Sequence, residues 1–361
     1  MPSLHIVRET PIIESFRVAQ IRGMFDYSAL SSRHQWDVAI PSEEKPWQIG
    51  LIVGPSGSGK TTIAGELFPD MRLHKSFDWP SGAVVDGFPQ GTQTKDICAV
   101  LNAVGFSSPP SWLKPFHVLS NGQKFRAELA RCLIEDAGGF VFDEFTSVVD
   151  RDVAKIGCAA VENAIRSTPA RRFVAVSCHY DIIDWLQPDW IYDAGANRFD
   201  WRARRRRPEI KLDIHQTSTA AWEAFRRHHY LDHHIHRAAA CYLATWNEKP
   251  VAFSSVLHFP HPTCAKFKRE HRTVVLPDFQ GVGIGNALSE FVASLYTRAG
   301  FRFISTTSAP AMMMHRSKSK KWKCTHYGHN TPAGKSRSVS VGNGMSISSR
   351  RKTASFEYIG P

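Results

Sequence analysis

Short apolar runs punctuate the first two hundred residues. WQIGLIV at 47–53, GGFVFDE at 138–144 and FVAVSCHYD at 173–181 each hold an apolar core that runs into glycine or charge, which predicts buried strands that deliver functional groups at their ends. The stretch IAGELF at 63–68 suits a helix directly after the first strand and its loop. In the second half the pattern turns mixed. EIKLDIHQ at 209–216 reads as a strand, AAWEAFRRHHYL at 220–231 as a helix, and CYLATWN at 240–246 with VAFSSVLH at 251–258 as a hairpin across Glu248, Lys249 and Pro250. RTVVLP at 272–277 is a further strand, leading through a glycine-rich turn into an amphipathic helix, NALSEFVASLYTRAG. FRFISTTS at 301–308 and an Ala/Met-rich helix follow. No apolar run approaches the roughly 18–20 residues of a bilayer span. No membrane association is therefore expected, and MPSLHIVRETPIIESF lacks the features of a secretory signal.

The 361 residues, 42% hydrophobic and 22% charged, have room for two domains. Seven scattered cysteines without a CxxC pair predict free thiols and a cytoplasmic setting. Charge is unevenly placed: residues 1–200 carry a net −5 and residues 201–361 a net +17. The border is WRARRRRP at 201–208, five arginines closed by a proline, so the expected division is a domain over 1–201, a basic linker over 202–208 and a domain over 209–361. The Ser-, Lys- and Arg-rich stretch at 315–352 predicts a partly irregular tail.

The sharpest chemistry lies at Gly54-Pro55-Ser56-Gly57-Ser58-Gly59-Lys60-Thr61-Thr62. A strand, a glycine loop and a helix in that order converge backbone N–H groups on phosphate. Lys60 can reach the β and γ phosphates, and Thr61 can offer its hydroxyl to Mg²⁺. Asp143 and Glu144 leave the strand at 138–144 together. The first suits a Mg²⁺ site and the second the polarisation of an attacking water. ATP and Mg²⁺ are thus expected, with Thr61 and Asp143 on the metal.

Between these motifs stands LSNGQ, with Ser120, Asn121, Gly122 and Gln123. It resembles the LSGGQ signature of ABC ATPases, with Asn121 in place of the first glycine. FTSVVD at 145–150 resembles the D-loop of that family and His179 its switch histidine. The resemblance implies a head-to-tail homodimer that sandwiches ATP between the P-loop of one copy and Ser120 and Gly122 of the other. It also implies a catalytic role for His179, an adenine-stacking aromatic at Phe25 or Tyr27 and a Q-loop glutamine at Gln90 or Gln93. About 60 positions separate Lys60 from Ser120, closer to compact ABC ATPases than to transporter subunits, which remain an alternative.

In the second half, Gln280-Gly281-Val282-Gly283-Ile284-Gly285 is another anion cradle at a helix start. A dinucleotide-binding unit uses similar glycines, but the preceding hairpin is not the parallel crossover such a unit needs. The string resembles the pyrophosphate loop of GNAT-type N-acyltransferases. That resemblance implies acetyl-CoA held by these residues and by Leu276, and an amine attacking the thioester. Glu270, His271 and His258 are candidates for its base, and Tyr327 for a donor to the thiolate.

A histidine-rich stretch offers His229, Asp232, His233 and His236, and CTHYGH offers Cys324, His326 and His329; neither is a well-specified ligand set. The positive charge of the second half points to nucleic acid. Arg202 to Arg207, Lys266, Lys268, Arg269, Arg272 and the run at 316–324 could contact phosphate, with Trp322 to stack a base. The expected fold class is α/β, an ABC-type P-loop domain followed by a mixed-sheet GNAT-like domain. The expected function is an ATPase fused to an acetyl-CoA-dependent acyltransferase acting on an amine of nucleic acid or of a protein bound to it. The alternatives are an ATP-gated nucleic-acid clamp with a non-catalytic CoA-binding module, and a protein N-acetyltransferase.

Overall fold

The apolar runs of the first half assemble side by side. In the computed structural model, which describes residues 3–229, 233–260, 265–329 and 352–360, the chain divides into two compact units. Met1–Val104 with Phe116–Pro208 form the first, and Gly105–Pro115 with Glu209–Pro361 the second. The first unit runs β1 (Ser3–Pro11), α1 (Phe16–Met24), β2 (Ser31–Ala39), β3 (Ile49–Val53), α2 (Lys60–Leu67), β4 (Arg72–His74) and α3 (Thr94–Ala103). After α4 (Pro109–Trp112), which belongs to the second unit, it resumes with α5 (Asn121–Glu135), β5 (Gly139–Phe142), α6 (Arg151–Arg166), β6 (Arg172–Ser177), α7 (Ile183–Leu186), β7 (Trp190–Asp193) and β8 (Arg198–Trp201).

Strands in the order β4-β5-β6-β3-β7-β8 make one sheet, parallel except for β8, and β1 and β2 form a separate antiparallel ribbon. All five residues of β3 are buried, as an interior parallel strand requires. Its entry is fixed by Asp189, which accepts from the N–H groups of Gln48 and Ile49 at 2.8 and 2.9 Å and pairs with Arg166 at 2.8 Å. Burial works against the charge of Asp189, yet these donors hold its carboxyl below the usual range. Because β3 and β5 are parallel, the loop after one and the carboxylates after the other emerge at the same edge, where open α/β sheets bind ligands.

The arginines at 202–208 group with the first unit instead of forming a free linker. Arg202 pairs with Asp184 at 3.1 Å, while Arg204 and Arg207 close on Glu162 of α6 at 2.8 and 3.0 Å. Glu162 is fully buried, and a buried carboxylate needs such partners. Arg202 and Arg207 are therefore engaged within the protein, which corrects their assignment to phosphate, whereas the Arg204 side chain stays 61% exposed.

The second unit continues with β9 (Asp213–Thr217), β10 (Ala240–Trp246), β11 (Lys249–His258), β12 (Phe267–Val275), α8 (Ile284–Arg298), β13 (Arg302–Thr307), α9 (Pro310–Lys318), β14 (Trp322–His329) and β15 (Lys352–Tyr358). Its sheet has the order β14-β15-β13-β12-β11-β10-β9. The hairpin is β10 and β11, and β12 begins five residues earlier than its predicted start. The helix predicted at 220–231 is instead two short 3₁₀ turns, Thr219–Ala224 and Arg226–His228. Trp222 and Phe225 lie three apart and are both buried against Phe253 and Val274, a spacing that three residues per turn satisfies directly. The tail predicted at 315–352 holds part of α9 and all of β14, and residues 330–351 lie outside the described residues. Trp322 is buried, with the Arg316 guanidinium 4.3 Å from its ring centroid and Tyr358 packed edge-on, so it does not serve as an exposed stacking platform.

Two irregularities mark the centre of this sheet. β12 and β13 pair in parallel only from Phe267↔Arg302 to Arg269↔Ile304, and the ladder goes no further. Against β11, Arg272 faces Ser255 while Glu270 faces Val256, which leaves His271 as the extra residue of a β-bulge.

Candidate functional sites

The residues Gly54 to Thr62 form the loop and first turn between β3 and α2, with Gly57 and Gly59 at φ of +81° and +83°. A Cβ on Gly59 would come within 2.3 Å of the Trp36 indole, so this position needs glycine twice over. The loop floors a cavity of about 530 Å³ lined by Ser56, Lys60, Thr61, Asp143 and Glu144, with Trp36 and His34 also contributing. Thr61 Oγ1 donates to the carboxylate of Asp143, 3.0 Å from both oxygens, and Lys60 Nζ donates to the Pro55 carbonyl at 2.7 Å. A hydroxyl and a buried carboxylate facing one another above a phosphate loop are the donor set that Mg²⁺ takes alongside phosphate oxygens.

Glu144 is exposed and lines the cavity from an unusual backbone. Its φ is +50° and that of Thr146 is +67°, left-handed values that cost a non-glycine residue roughly 1–2 kcal/mol each. Hydrogen bonds hold this turn: Phe145 N donates to Val176 O at 2.8 Å and Ser147 N to Glu144 O at 2.9 Å. Beneath it Asp143 N donates to the His74 carbonyl, and buried Glu128 bonds His74 Nε2 at 2.8 Å and accepts from Trp79 Nε1 at 2.8 Å. The strain is carried by a rigid support.

His179 follows β6, its N–H on Ser177 Oγ at 3.1 Å. Burial and then the charge of Arg151 push the imidazole below its usual range. Neither His179 nor any signature residue lines the 530 Å³ cavity. Ser120 caps the fifteen-residue α5 in a reciprocal capping box with Gln123. Gly122 is buried, while Ser120 and Asn121 are exposed. Asn121 takes the first helical position, where the backbone makes no demand for glycine.

Two further sets of expected contacts lie outside the cavity's lining. Phe25 and Tyr27 follow α1, are 74% and 50% exposed, and do not line the cavity; the aromatics that do are Trp36 and His34, on one face of β2 with rings 5.9 Å apart. The signal available in sequence was their i, i+2 spacing within a polar strand. Gln90 and Gln93 are exposed in the stretch leading into α3 and are also outside the lining.

In the second unit, Gln280 to Gly285 form the turn into α8, with Gly281 and Gly283 at φ of +92° and +89°. The Gln280 side chain is used internally: Oε1 accepts from Ser107 N at 2.8 Å and Nε2 donates to Val275 O at 2.9 Å. Gly105 packs on the same spot, where a Cβ would lie 2.6 Å from the Gln280 carbonyl oxygen. Leu276 N donates to Val251 O, tying the end of β12 to β11. Val282 and Ile284 complete this turn, with Ile284 buried as the first residue of α8.

Where β12 and β13 stop pairing, a polar cavity of about 160 Å³ opens, lined by Arg269 to Thr273 on one side and Ser305 to Ala309 on the other. Five consecutive residues of one strand share a wall because the bulge at His271 breaks the alternation. Glu270, a candidate base, is buried: Thr273 Oγ1 and Ser305 Oγ donate to it, and Arg316 Nη2 lies at 3.0 Å. Burial opposes its ionisation, yet Arg316 and the hydroxyls hold its carboxyl below the usual range, which suits a fixed anion and not a proton acceptor. His271 lines this cavity and also an adjoining open groove of about 520 Å³ with His234, Ile235, His236, Arg237 and Arg272. His258 and Tyr327 are exposed and line neither.

Among the described residues no group of three or more His, Cys, Asp or Glu is placed to hold a metal ion. No such group includes His229, His233 and His236, or Cys324 and His326. Asp232 and the side chain of His329 lie outside the described residues. No helix among those described is long and apolar enough to cross a membrane.

Residues 198–316 match the acetyltransferase (GNAT) family. The N-terminal part is similar to ABC proteins; the ABC multidrug transporter atrD of Emericella nidulans is 28% identical over 193 residues. That match takes in 42% of this chain and 14% of the transporter, so the chain spans only about a seventh of that relative. Among solved structures, a dimeric post-hydrolysis state of the ATP-binding cassette MJ0796 aligns over 46% of this chain and 88% of its own, at 15% identity and a TM-score of 0.36. The ribosomal-protein-S18-alanine N-acetyltransferase of Escherichia coli aligns over 41% and 93%, at 14% identity and a TM-score of 0.31.

Proposed function

We propose that this chain, an ABC-type ATPase region joined to a GNAT-family acetyltransferase domain, hydrolyses ATP at the Lys60–Glu144 site and transfers an acetyl group from acetyl-CoA to an amine. The observation that carries the ATPase half is the Thr61–Asp143 bond beside Glu144 at a phosphate loop. Thr61 and Asp143 would hold Mg²⁺, which when bound neutralises phosphate charge. Lys60 leaves the Pro55 carbonyl for the phosphates, Glu144 orients and polarises the attacking water, and His179, next in the chain to the lining residue Cys178, donates a hydrogen bond to the γ phosphate. Ser120 and the N-terminus of α5 are exposed, as a partner copy's nucleotide would require, which supports the head-to-tail dimer.

Trp36 is the stacking surface for the base in this reading. Trp36→Ala should raise the Kd for ATP about tenfold, because base–aromatic stacking contributes on the order of 1–3 kcal/mol. Titration with a fluorescent ATP analogue reads it, and an unchanged Kd would return the role to another residue.

For acetyl transfer, the Gln280–Gly285 turn supplies N–H groups for the pyrophosphate of acetyl-CoA, and the opening between β12 and β13 receives the acetyl end. His271, at the junction of cavity and groove, is the side chain positioned to take the amine proton. Nucleic acid as the carrier of the amine is supported by the net +17 of residues 201–361, less the arginines engaged with Glu162 and Asp184. The test is incubation with radiolabelled acetyl-CoA and DNA, tRNA or protein acceptors, with and without ATP. Label in nucleic acid that requires ATP is the expected result; ATP hydrolysis stimulated by nucleic acid with no label in any acceptor would favour a clamp with a non-catalytic CoA-binding module.

A further inference from the structure

Two adjoining spaces meet at the bulge of β12. The inner cavity of about 160 Å³ is small enough for an amine and an acetyl group, and the outer groove of about 520 Å³ is open. His271 and Arg272 line both. The charge on these walls is one-sided. Arg269 and Arg272 line the inner cavity, and Arg237 with His234 and His236 the outer groove. Among the described lining residues the one carboxylate is Glu270, and Arg316 beneath it already neutralises that charge.

We propose that the acceptor is an amine that carries its own anion, a phosphate or a carboxylate, with the amine entering the inner cavity beside His271 and the anion resting in the groove against Arg272 and Arg237. This deepens the acetyl-transfer reading given above and rests on it. A cleft lined by one sign of charge concentrates the opposite sign, and arginine forks suit phosphate and carboxylate oxygens. Among the described lining residues a polyamine or a lysine-rich segment would meet Arg237, Arg272 and Arg269.

The same walls help the chemistry. The amine attacks only from its uncharged form, and a neighbouring positive charge disfavours the ammonium. The proton therefore leaves more readily, and His271 has less to do than a base facing a free alkylamine. Nitrogen then bonds to the acetyl carbon, the C–S bond breaks, and CoA departs as thiolate to be protonated by solvent.

The experiment separates the anion site from the transfer. Inorganic phosphate, and in a second arm acetate, is titrated by calorimetry into the Lys60→Ala protein saturated with CoA, so that the other phosphate-binding loops are disabled or filled. Saturable binding that Arg272→Gln or Arg237→Gln weakens about tenfold is expected; no binding, or binding indifferent to both substitutions, overturns the proposal. Acetylation of O-phosphoethanolamine, glycine, ethanolamine, putrescine and a short oligonucleotide is then compared. Preference for the anionic amines supports it, with the oligonucleotide distinguishing a polymer backbone from a free phosphate, and preference for putrescine overturns it while leaving acetyl transfer intact. Phosphate binding of the expected kind with no amine acetylated leaves the anion site standing and removes the transfer reading.

Discussion

Glu144→Gln protein should bind ATP and hydrolyse it at least 100-fold more slowly than the unaltered chain. The amide keeps the shape of the carboxylate but cannot polarise or take a proton from water, and such assistance contributes typically 10²–10⁴-fold. The backbone at Glu144 makes this substitution informative. Its left-handed conformation is fixed by the Phe145–Val176 and Ser147–Glu144 hydrogen bonds, so glutamine enters the same position without moving Asp143 or the loop. Steady-state phosphate release measures the loss, and size-exclusion chromatography with ATP should show a dimer accumulating because the nucleotide is no longer consumed. Turnover within tenfold of the unaltered protein would remove Glu144 from the reaction.

Glu270→Gln should lower the stability of the second unit by about 3–5 kcal/mol, the usual cost of leaving one partner of a buried ion pair alone. Arg316 is 1% exposed and its Nη2 also donates to Ser289 Oγ at 2.7 Å, so the guanidinium has no route to water once its counter-charge is gone. Urea unfolding followed by hydrogen exchange of the β12, β13 and α9 amides measures the effect, and Glu270→Gln combined with Arg316→Met should recover most of it. The pH dependence has a definite sign. Burial opposes the charge of Glu270 but Arg316 and the hydroxyls outweigh it, so the folded carboxyl titrates below its ordinary 4.5. Its contribution is complete above that range and drains away as the pH falls through the folded value. A Glu270→Gln protein as stable as the original at pH 7 would show that the pair does not hold the sheet together.

Much of the first site could be read from the sequence because its chemistry is local. A strand, a glycine loop and a helix occupy adjacent positions, and Asp143 with Glu144 sits at the end of one apolar run. Trp36 arrives from a ribbon outside the main sheet, and the i, i+2 spacing of His34 and Trp36 in SSRHQWDVA gives them a shared face without saying that it meets Gly59. The arginines at 202–207 misled for the complementary reason. Charge is visible in a sequence but its partner is not, and Glu162 lies some forty residues earlier on the buried face of α6. The structure starts β12 five residues before the predicted strand at 272, so Glu270, which the sequence places at the strand's edge, lies inside it, against Arg316 from a helix 46 residues away.

Gly105–Pro115 gives the chain an order of events as well as a shape. The ribosome delivers Ser107 173 residues before Gln280, the side chain that receives its N–H. At about 5–20 residues per second, roughly 10–35 s pass before that partner exists. Through that interval Phe106 and Trp112, both buried in the finished protein, belong to a unit whose remaining residues have not been made. Until then these two apolar side chains lack the rest of the unit they pack in. A gene split at position 208 would part the acetyltransferase half from eleven residues of its own fold.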